Sequence, residues 1–364
     1  MVRAGVAALA LLSLFTLTGC WNNRPIESRA IVLVLGVDPG PDNRLILSLQ
    51  VPSPSALQSL TGSSPPKKPT SFVITGDGKT FSEALNAAQV KSEHEIYLGQ
   101  LQAVVLSMRL PDSQFKTVED FLTRYGPTDK SAYLVATQQK ASDILTAEPR
   151  GARFAALYLH TLFSCQTCQV AHLERMVWDQ EKMRLCPVDS GWMPIISSDG
   201  EFHVDKVAIY EKTHPALILS PAETITLAHI LGLTHKAVET LPTRWGEAGL
   251  QSVQATPSTE TRLEGGKLTV DVTLKVTASL DSFPLGAATL NNIRDLEALL
   301  SQRVAQRSTV LLAKLQSQGL NPVRFGEAVL WHHPELAATW PNLYHNAQIK
   351  VHVSSQITDV GDAT

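Results

Sequence analysis

The sequence has no surplus of positive charge. Lysine and arginine number 31 against 34 aspartates and glutamates, a formal net charge of -3, so it lacks the basic excess that grips nucleic acid. Past the first twenty residues no apolar run reaches the roughly 20 residues that span a bilayer, and transport or channel activity is not expected of this chain alone. There is no GxSxG elbow and no HExxH pair, which removes the commonest hydrolase and zinc-protease signatures. Only three cysteines follow Cys20, namely Cys165, Cys168 and Cys186, one short of a four-cysteine zinc site.

What is present begins with Met1, Val2 and Arg3, an apolar stretch from about Ala4 to Leu17, and then Leu17, Thr18, Gly19 and Cys20. This is the pattern of a signal peptide over residues 1–19, cleaved before Cys20. LTGC resembles a bacterial lipobox, so a diacylglycerol on the Cys20 sulfur is expected, with ordinary secretion and a plain thiol as the alternative. Acyl chains contribute roughly 0.8 kcal/mol per buried methylene, and two of them give stable anchoring. The mature chain is thus placed on a membrane face outside the cytoplasm. There a disulfide among Cys165, Cys168 and Cys186 is the expected fate; a metal site completed by His160 or His172, and free thiols, are the alternatives.

Hydrophobic residues make up 44% and charged residues 18%, a globular composition, and the length calls for two or three domains. Apolar runs at Ala30–Asp38, Leu45–Val51, Ser71–Ile74, Gln102–Leu106 and Ala132–Ala136 read as strands. Helices are expected between them, one capped by Ser82 and one over Ser113–Tyr125. Residues 52–69, rich in Ser, Pro and Gly, read as a loop. Phe154, Leu157, Tyr158, Thr161 and Leu162 recur at helical spacing before an irregular stretch near Pro187 and Gly191. Val204–Glu211 reads as a strand, and Ser220 and Pro221 open a helix running to Leu231.

Strict alternation from Leu268 to Leu280 predicts a long strand with one buried face. Leu296, Leu299, Leu300, Val304, Leu311, Leu312 and Leu315 mark a long amphipathic helix stopped by Gly319. Ile349, Val351, Val353 and Ile357 give a last strand. The fold class is α+β: mixed α/β domains with antiparallel or mixed sheets flanked by helices. The expected division is an N-terminal domain over 21–190, a small middle subdomain over 191–240 that opens the C-terminal region, and a C-terminal domain over 241–364.

Strings that imitate catalytic motifs fail on inspection. GDGKT at Gly76–Thr80 matches the end of a phosphate-binding loop, but Val73 stands at the upstream glycine position and the string reads as a tight turn into a helix. SQFK at Ser113–Lys116 has the spacing of penicillin-binding enzymes without SDN or KTG, and reads as a capped helix start. Trp331, His332, His333 and Pro334, with Trp340 and Pro341, read as a loop pinned to a core by its tryptophans, with ligand or metal binding as the alternative. His229 and His235 read as structural or solvated, not as metal ligands. Neither a cofactor nor a metal is expected.

Taken together, GCWNNRPIESRAIVLVLGVD, TGDGKTFSEALNAA, EIYLGQLQAVVLS and FLTRYGPTDKSAYLVATQQKASDIL, followed by VAIYEKTHPALILSPAETITLAHILG and QGLNPVRFGEAVLWHHPELAATWPNLYHNAQIKVHVSSQITDVG, resemble the Ger(x)C family of spore germination lipoproteins. Their order and spacing over nearly the whole mature chain carry the likeness. The chain departs from the family at Asn321, Pro322 and Val323 ahead of Phe325 and Gly326, at His352, Ser354 and Gln356 in the last strand, and in the segment from Cys165 to Cys186.

The resemblance implies a non-enzymatic C subunit of a GerA-type nutrient germinant receptor. Its partners would be integral membrane A-type and B-type subunits, and its place the outer face of the spore inner membrane. It also implies that Cys20 bears the lipid and that Glu223 is functionally important. The alternative for Glu223 is a solvated charge at the positive end of a helix; for Phe325, Gly326 and Trp340 the expectation is packing. The alternative for the whole chain is an extracytoplasmic solute-binding lipoprotein of a transporter.

Overall fold

The computed structural model describes residues 28–53, 71–147, 155–165, 173–180, 188–234, 236–283 and 289–360. Cys20, Cys168, His172, Cys186 and His235 lie outside the described residues.

The apolar run at Ala30–Asp38 forms two strands instead of one. Strand β1 (Arg29–Ile31) pairs in parallel with β5 (Glu95–Tyr97), and β2 (Val34–Pro39) enters the main sheet. Between them the Val32 amide donates to the Tyr97 carbonyl and the Leu33 amide to that of Gln50, each at 3.0 Å, so the run serves two sheets.

The main sheet has eight strands in the order β10-β9-β8-β7-β6-β2-β3-β4. They are β2, β3 (Leu45–Pro52), β4 (Ser71–Gly78), β6 (Ala103–Ser107), β7 (Tyr133–Thr137), β8 (Gly191–Ser198), β9 (Phe202–Glu211) and β10 (His214–Leu219). The central strands β2, β6, β7 and β8 are parallel, and antiparallel hairpins extend both edges. Strands covered on both faces read as continuous apolar runs. Accordingly, Leu35, Val37, Val104 and Leu106 pack under helices α1 (Phe81–Gln89) and α2 (Asp112–Arg124). Their neighbours Val34, Ala103 and Val105 pack under α3 (Ala141–Thr146) and α4 (Ala155–Ser164) on the other face.

Strands β8 to β10 follow residue 190, yet they hydrogen-bond into this sheet, so the sheet crosses the division expected between 21–190 and 191–240. The cap of α1 is Thr80, two residues before the expected Ser82: its hydroxyl accepts from the Glu83 amide at 3.1 Å, and the Glu83 carboxylate accepts from the Lys79 amide at 2.9 Å. Gly76 and Gly78 belong to β4 and not to the turn. Helix α2 starts at Asp112 without a side-chain cap. Gln114, from SQFK, is buried and donates to the Arg44 carbonyl at 3.0 Å instead.

The C-terminal half carries α5 (Pro221–Leu231) and a four-stranded sheet of β11 (Ala237–Thr243), β12 (Gly246–Glu264), β13 (Lys267–Ser282) and β14 (Gln348–Asp359). The first three form an antiparallel meander, and β14 lies parallel to β13. Alternate residues of β13 from Leu268 to Leu280 are buried, as the periodicity predicts. They pack against α6 (Leu290–Ser317), whose inner stripe is Leu296, Leu300, Val304, Ser308, Leu311, Leu312 and Leu315. Leu299 falls off this stripe and is 37% exposed. Gly319 ends the helix at φ 70°, a left-handed conformation that glycine adopts without strain. Short helices α7 (Phe325–Leu330) and α8 (Trp340–His345) close the half. The expected mixture of helices with antiparallel and mixed sheets is borne out. Among the described residues no helix is long and apolar enough to cross a membrane.

Candidate functional site

Glu223 is positioned by its own helix end. Ser220 and Glu223 form a reciprocal cap at the start of α5: the Ser220 hydroxyl accepts from the Glu223 amide, and the Glu223 carboxylate accepts from the Ser220 amide at 2.9 Å, which satisfies two donors the helix itself leaves unpaired. Its other oxygen accepts from Lys314 Nζ of α6 at 2.6 Å. Glu223 is therefore not freely solvated. Burial pushes its carboxyl up, but hydrogen bonds from Lys314 and Ser220 outweigh that and hold it below the usual range. It is ionised at neutral pH and cannot act there as a proton donor.

Beside this tie runs a groove of about 510 Å³ between α5, α6 and β11, lined among others by Glu223, Pro242, Leu299, Arg303 and Arg307. Two of the lining arginines are tied to Glu239 of β11, only 6% exposed, whose carboxylate meets Arg307 Nη1 at 2.6 Å and Arg303 Nε at 3.9 Å. The groove joins elements; it does not assemble a nucleophile with a base.

His229 lies on the buried side of α5 and is 2% exposed. Burial, and then the charge of Arg307, lower its pKa from 6.5 to about 4. The folded chain holds it neutral while the unfolded chain protonates near pH 6.5, so its stabilising effect is complete above that pH and is lost as pH falls towards 4. Urea unfolding should show a loss on the order of 3 kcal/mol across this window. His229→Leu should flatten that slope, and an unchanged slope in the variant would assign the acid sensitivity elsewhere.

The quoted motifs meet in space. Asp38, at the end of GVD, is buried and accepts from the Ala141 and Ser142 amides at 2.8 and 2.9 Å, capping α3, whose N-cap Lys140 supplies no cap of its own. At the junction of the halves, Asp189 accepts from Asn321 Nδ2 at 2.6 Å and from the Gly326 and Glu327 amides at 3.1 Å, and the Ser190 hydroxyl accepts from the Asn321 amide at 2.9 Å. Trp340 is buried and stacks on Tyr344, whereas Trp331 is 82% exposed, so one tryptophan alone pins that loop.

Cys165 is disulfide-bonded. His160 is exposed on α4. Among the described residues no group of three His, Cys, Asp or Glu converges as a metal site. Sequence reasoning gave no role to Asp38, Asp189, Glu239 or Arg175, and met Asn321 only as a departure from the family pattern. Asp38 has a local signal, an acid closing an apolar strand; the others depend on tertiary contacts.

Residues 22–188 match the spore germination protein N-terminal domain, and residues 205–361 match the spore germination B3/GerAC-like C-terminal domain. Spore germination protein B3 of Bacillus subtilis (strain 168) is 21% identical over 386 residues, covering 99% of each chain. Spore germination protein KC of the same strain is 30% identical over 143 residues, which is 38% of this chain and 35% of that relative. The crystal structure of the GerBC protein superposes with a TM-score of 0.57 at 17% identity, over 89% of this chain and 96% of that one, and shares its fold. The two domain matches, in this order and on this fold, show that the chain belongs to the Ger(x)C family of spore germination proteins.

Proposed function

We propose that the chain is a non-enzymatic lipoprotein subunit of a spore nutrient germinant receptor. Acyl chains on Cys20 hold it to the outer face of the spore inner membrane, and it works by assembly or signalling with integral membrane A-type and B-type subunits. The observation that carries this reading is the pair of germination-domain matches spanning nearly all of the chain after Cys20. The disulfide at Cys165 fits an oxidising, extracytoplasmic setting. Glu223 and the groove beside it offer ties between helices, consistent with a part that transmits contacts without breaking bonds.

Affinity purification of the tagged chain from detergent-solubilised spore membranes tests the reading, with mass spectrometry of what co-purifies. Two multi-span membrane proteins should be recovered, and a Cys20→Ala variant should recover far less of both. Recovery of the chain alone with a bound small molecule would replace the receptor reading with the solute-binding one.

A further inference from the structure

Helix α6 carries a second stripe that the core does not use. Leu299, Arg303, Gln306 and Val310 recur at intervals of four, three and four residues, which keeps them on one face of a helix. Leu299 is 37% and Val310 63% exposed, and Gln306 is exposed between them. Single apolar residues on a surface are ordinary, but these two mark the ends of a groove. It is the space of about 510 Å³ that α5, α6 and β11 enclose, with Ala222 of α5 and Pro242 of β11 in its other walls. Eleven helical residues from Leu299 to Val310 span about 16 Å, or three turns.

The charges of this groove do not balance. Arg303, Arg307 and Lys314 stand around two carboxylates, Glu223 and Glu239. Lys314 is bound by Glu223 and Arg307 by Glu239, each at 2.6 Å. Glu223 also accepts from the amide and hydroxyl of Ser220. Arg303 reaches Glu239 only at 3.9 Å, beyond hydrogen-bond range, and makes no hydrogen bond among the described residues. Its side chain is 35% exposed, so the surplus charge is open to a partner.

We infer that this groove seats an amphipathic helix of a membrane partner, with an Asp or Glu on Arg303 and apolar residues over Leu299 and Val310. The ridge of one helix fits the groove of another, and helix-in-groove recognition uses anchors at this three- and four-residue spacing. A carboxylate suits the guanidinium fork and supplies the charge that Glu239 gives to Arg307. The occupant's acid should therefore have an apolar residue about one turn to one side and two turns to the other. A second copy of this chain is disfavoured, because a two-fold contact brings the same patch together and would set two surplus arginines side by side. A small carboxylate would answer Arg303 but leave Leu299 and Val310 in water. The inference rests on the reading of the chain as a subunit of a membrane assembly.

The test places a photoreactive benzoylphenylalanine at Gln306 of the full chain in spores, with Thr309 as the control position, exposed on the same helix but outside the groove. After irradiation, mass spectrometry of the cross-linked peptide should return a membrane-protein segment with an acid and apolar residues at the stated spacing, from Gln306 and not from Thr309. Arg303→Ala should cut the cross-link yield about 10-fold, the scale of a charge-assisted hydrogen bond. Exchanging the charges, with Arg303→Glu on this chain and arginine at the partner's acid, should restore it. Val310→Asp leaves the core intact, should also lower the yield, and takes the place of Arg303→Ala if that variant does not fold. The inference is overturned if Gln306 cross-links nothing, if it joins two copies of this chain, or if the folded variant cross-links as wild type does. Co-purification of membrane subunits with Gln306 silent strikes the groove alone, whereas a chain recovered without any membrane protein loses the receptor reading as well.

Discussion

Gly76→Val should cost the fold about 4 kcal/mol or more, placing it among the exceptional single substitutions. Strand β4 passes directly beneath α1. A Cβ on Gly76 would lie 2.1 Å from the Ala84 carbonyl oxygen and 2.5 Å from the Ala88 nitrogen, and one on Gly78 would lie 2.4 Å from the Ala84 nitrogen. These obstacles are backbone atoms of a regular helix, so no rotamer change relieves them; α1 must lift from the sheet. That would expose Phe81, Ala84 and Ala88, each 2% exposed or less, to water and forfeit their packing. Gly126, where an added Cβ would meet nothing within 4 Å, supplies the control, and Gly126→Ala should change stability little. Urea unfolding followed by circular dichroism checks both. A Gly76→Val midpoint close to wild type would show that the helix can move at small cost, and the close-approach argument would be lost.

The same geometry explains why GDGKT looks like a phosphate loop. Both motifs put glycines where a helix meets a strand. Here the glycines admit the helix backbone, and the helix entrance is already occupied by Thr80 and Glu83.

Legibility in the sequence followed the range of the interaction. The alternation in β13, the opening of α5 at Ser220 and Pro221, and the stop at Gly319 depend on neighbours within a few residues, and each stands where its pattern placed it. The run at Ala30–Asp38 was legible as apolar but not as two strands, because the break at Val32 and Leu33 is set by carbonyls of Tyr97 and Gln50. The sheet's continuation through β8 to β10 was equally hidden: a parallel neighbour such as β7 leaves no mark in the sequence of β8. Glu223 stood out through the family resemblance and Ser220 through its position, whereas Lys314, 91 residues away, completes the tie and has no local signature. Arg175 was passed over because a buried arginine and an exposed one are the same letter. Only its burial in the folded chain, at 2% exposed, distinguishes it.

The junction between the halves gives the second large effect. Asp189→Ala should destabilise the chain by about 4 kcal/mol, the scale for truncating one partner of a buried charge-assisted network. Asp189 is 7% exposed and gathers the Asn321 side chain and the Gly326 and Glu327 amides of α7. Asn321 Oδ1 holds only the Phe325 amide, at 3.3 Å, and the N-cap Arg324, at φ 65°, supplies no side-chain cap for the next two. Without Asp189 those donors stay buried and unmet. Gly326→Ala attacks the same joint from the opposite side, because its Cβ would lie 2.6 Å from Asp189 Oδ1 and 2.5 Å from Val188 Cγ2. Asp189→Asn keeps the shape but loses one acceptor, so it should fall between wild type and alanine. Urea midpoints give the ranking, and limited proteolysis reads the joint itself: cleavage between the two halves should accelerate in the order Asn, then Ala. A ranking in which alanine matched wild type would mean that the halves are held by apolar packing alone, and that contacts pass between them through the shared core around Leu227 and Leu312 instead of through this carboxylate.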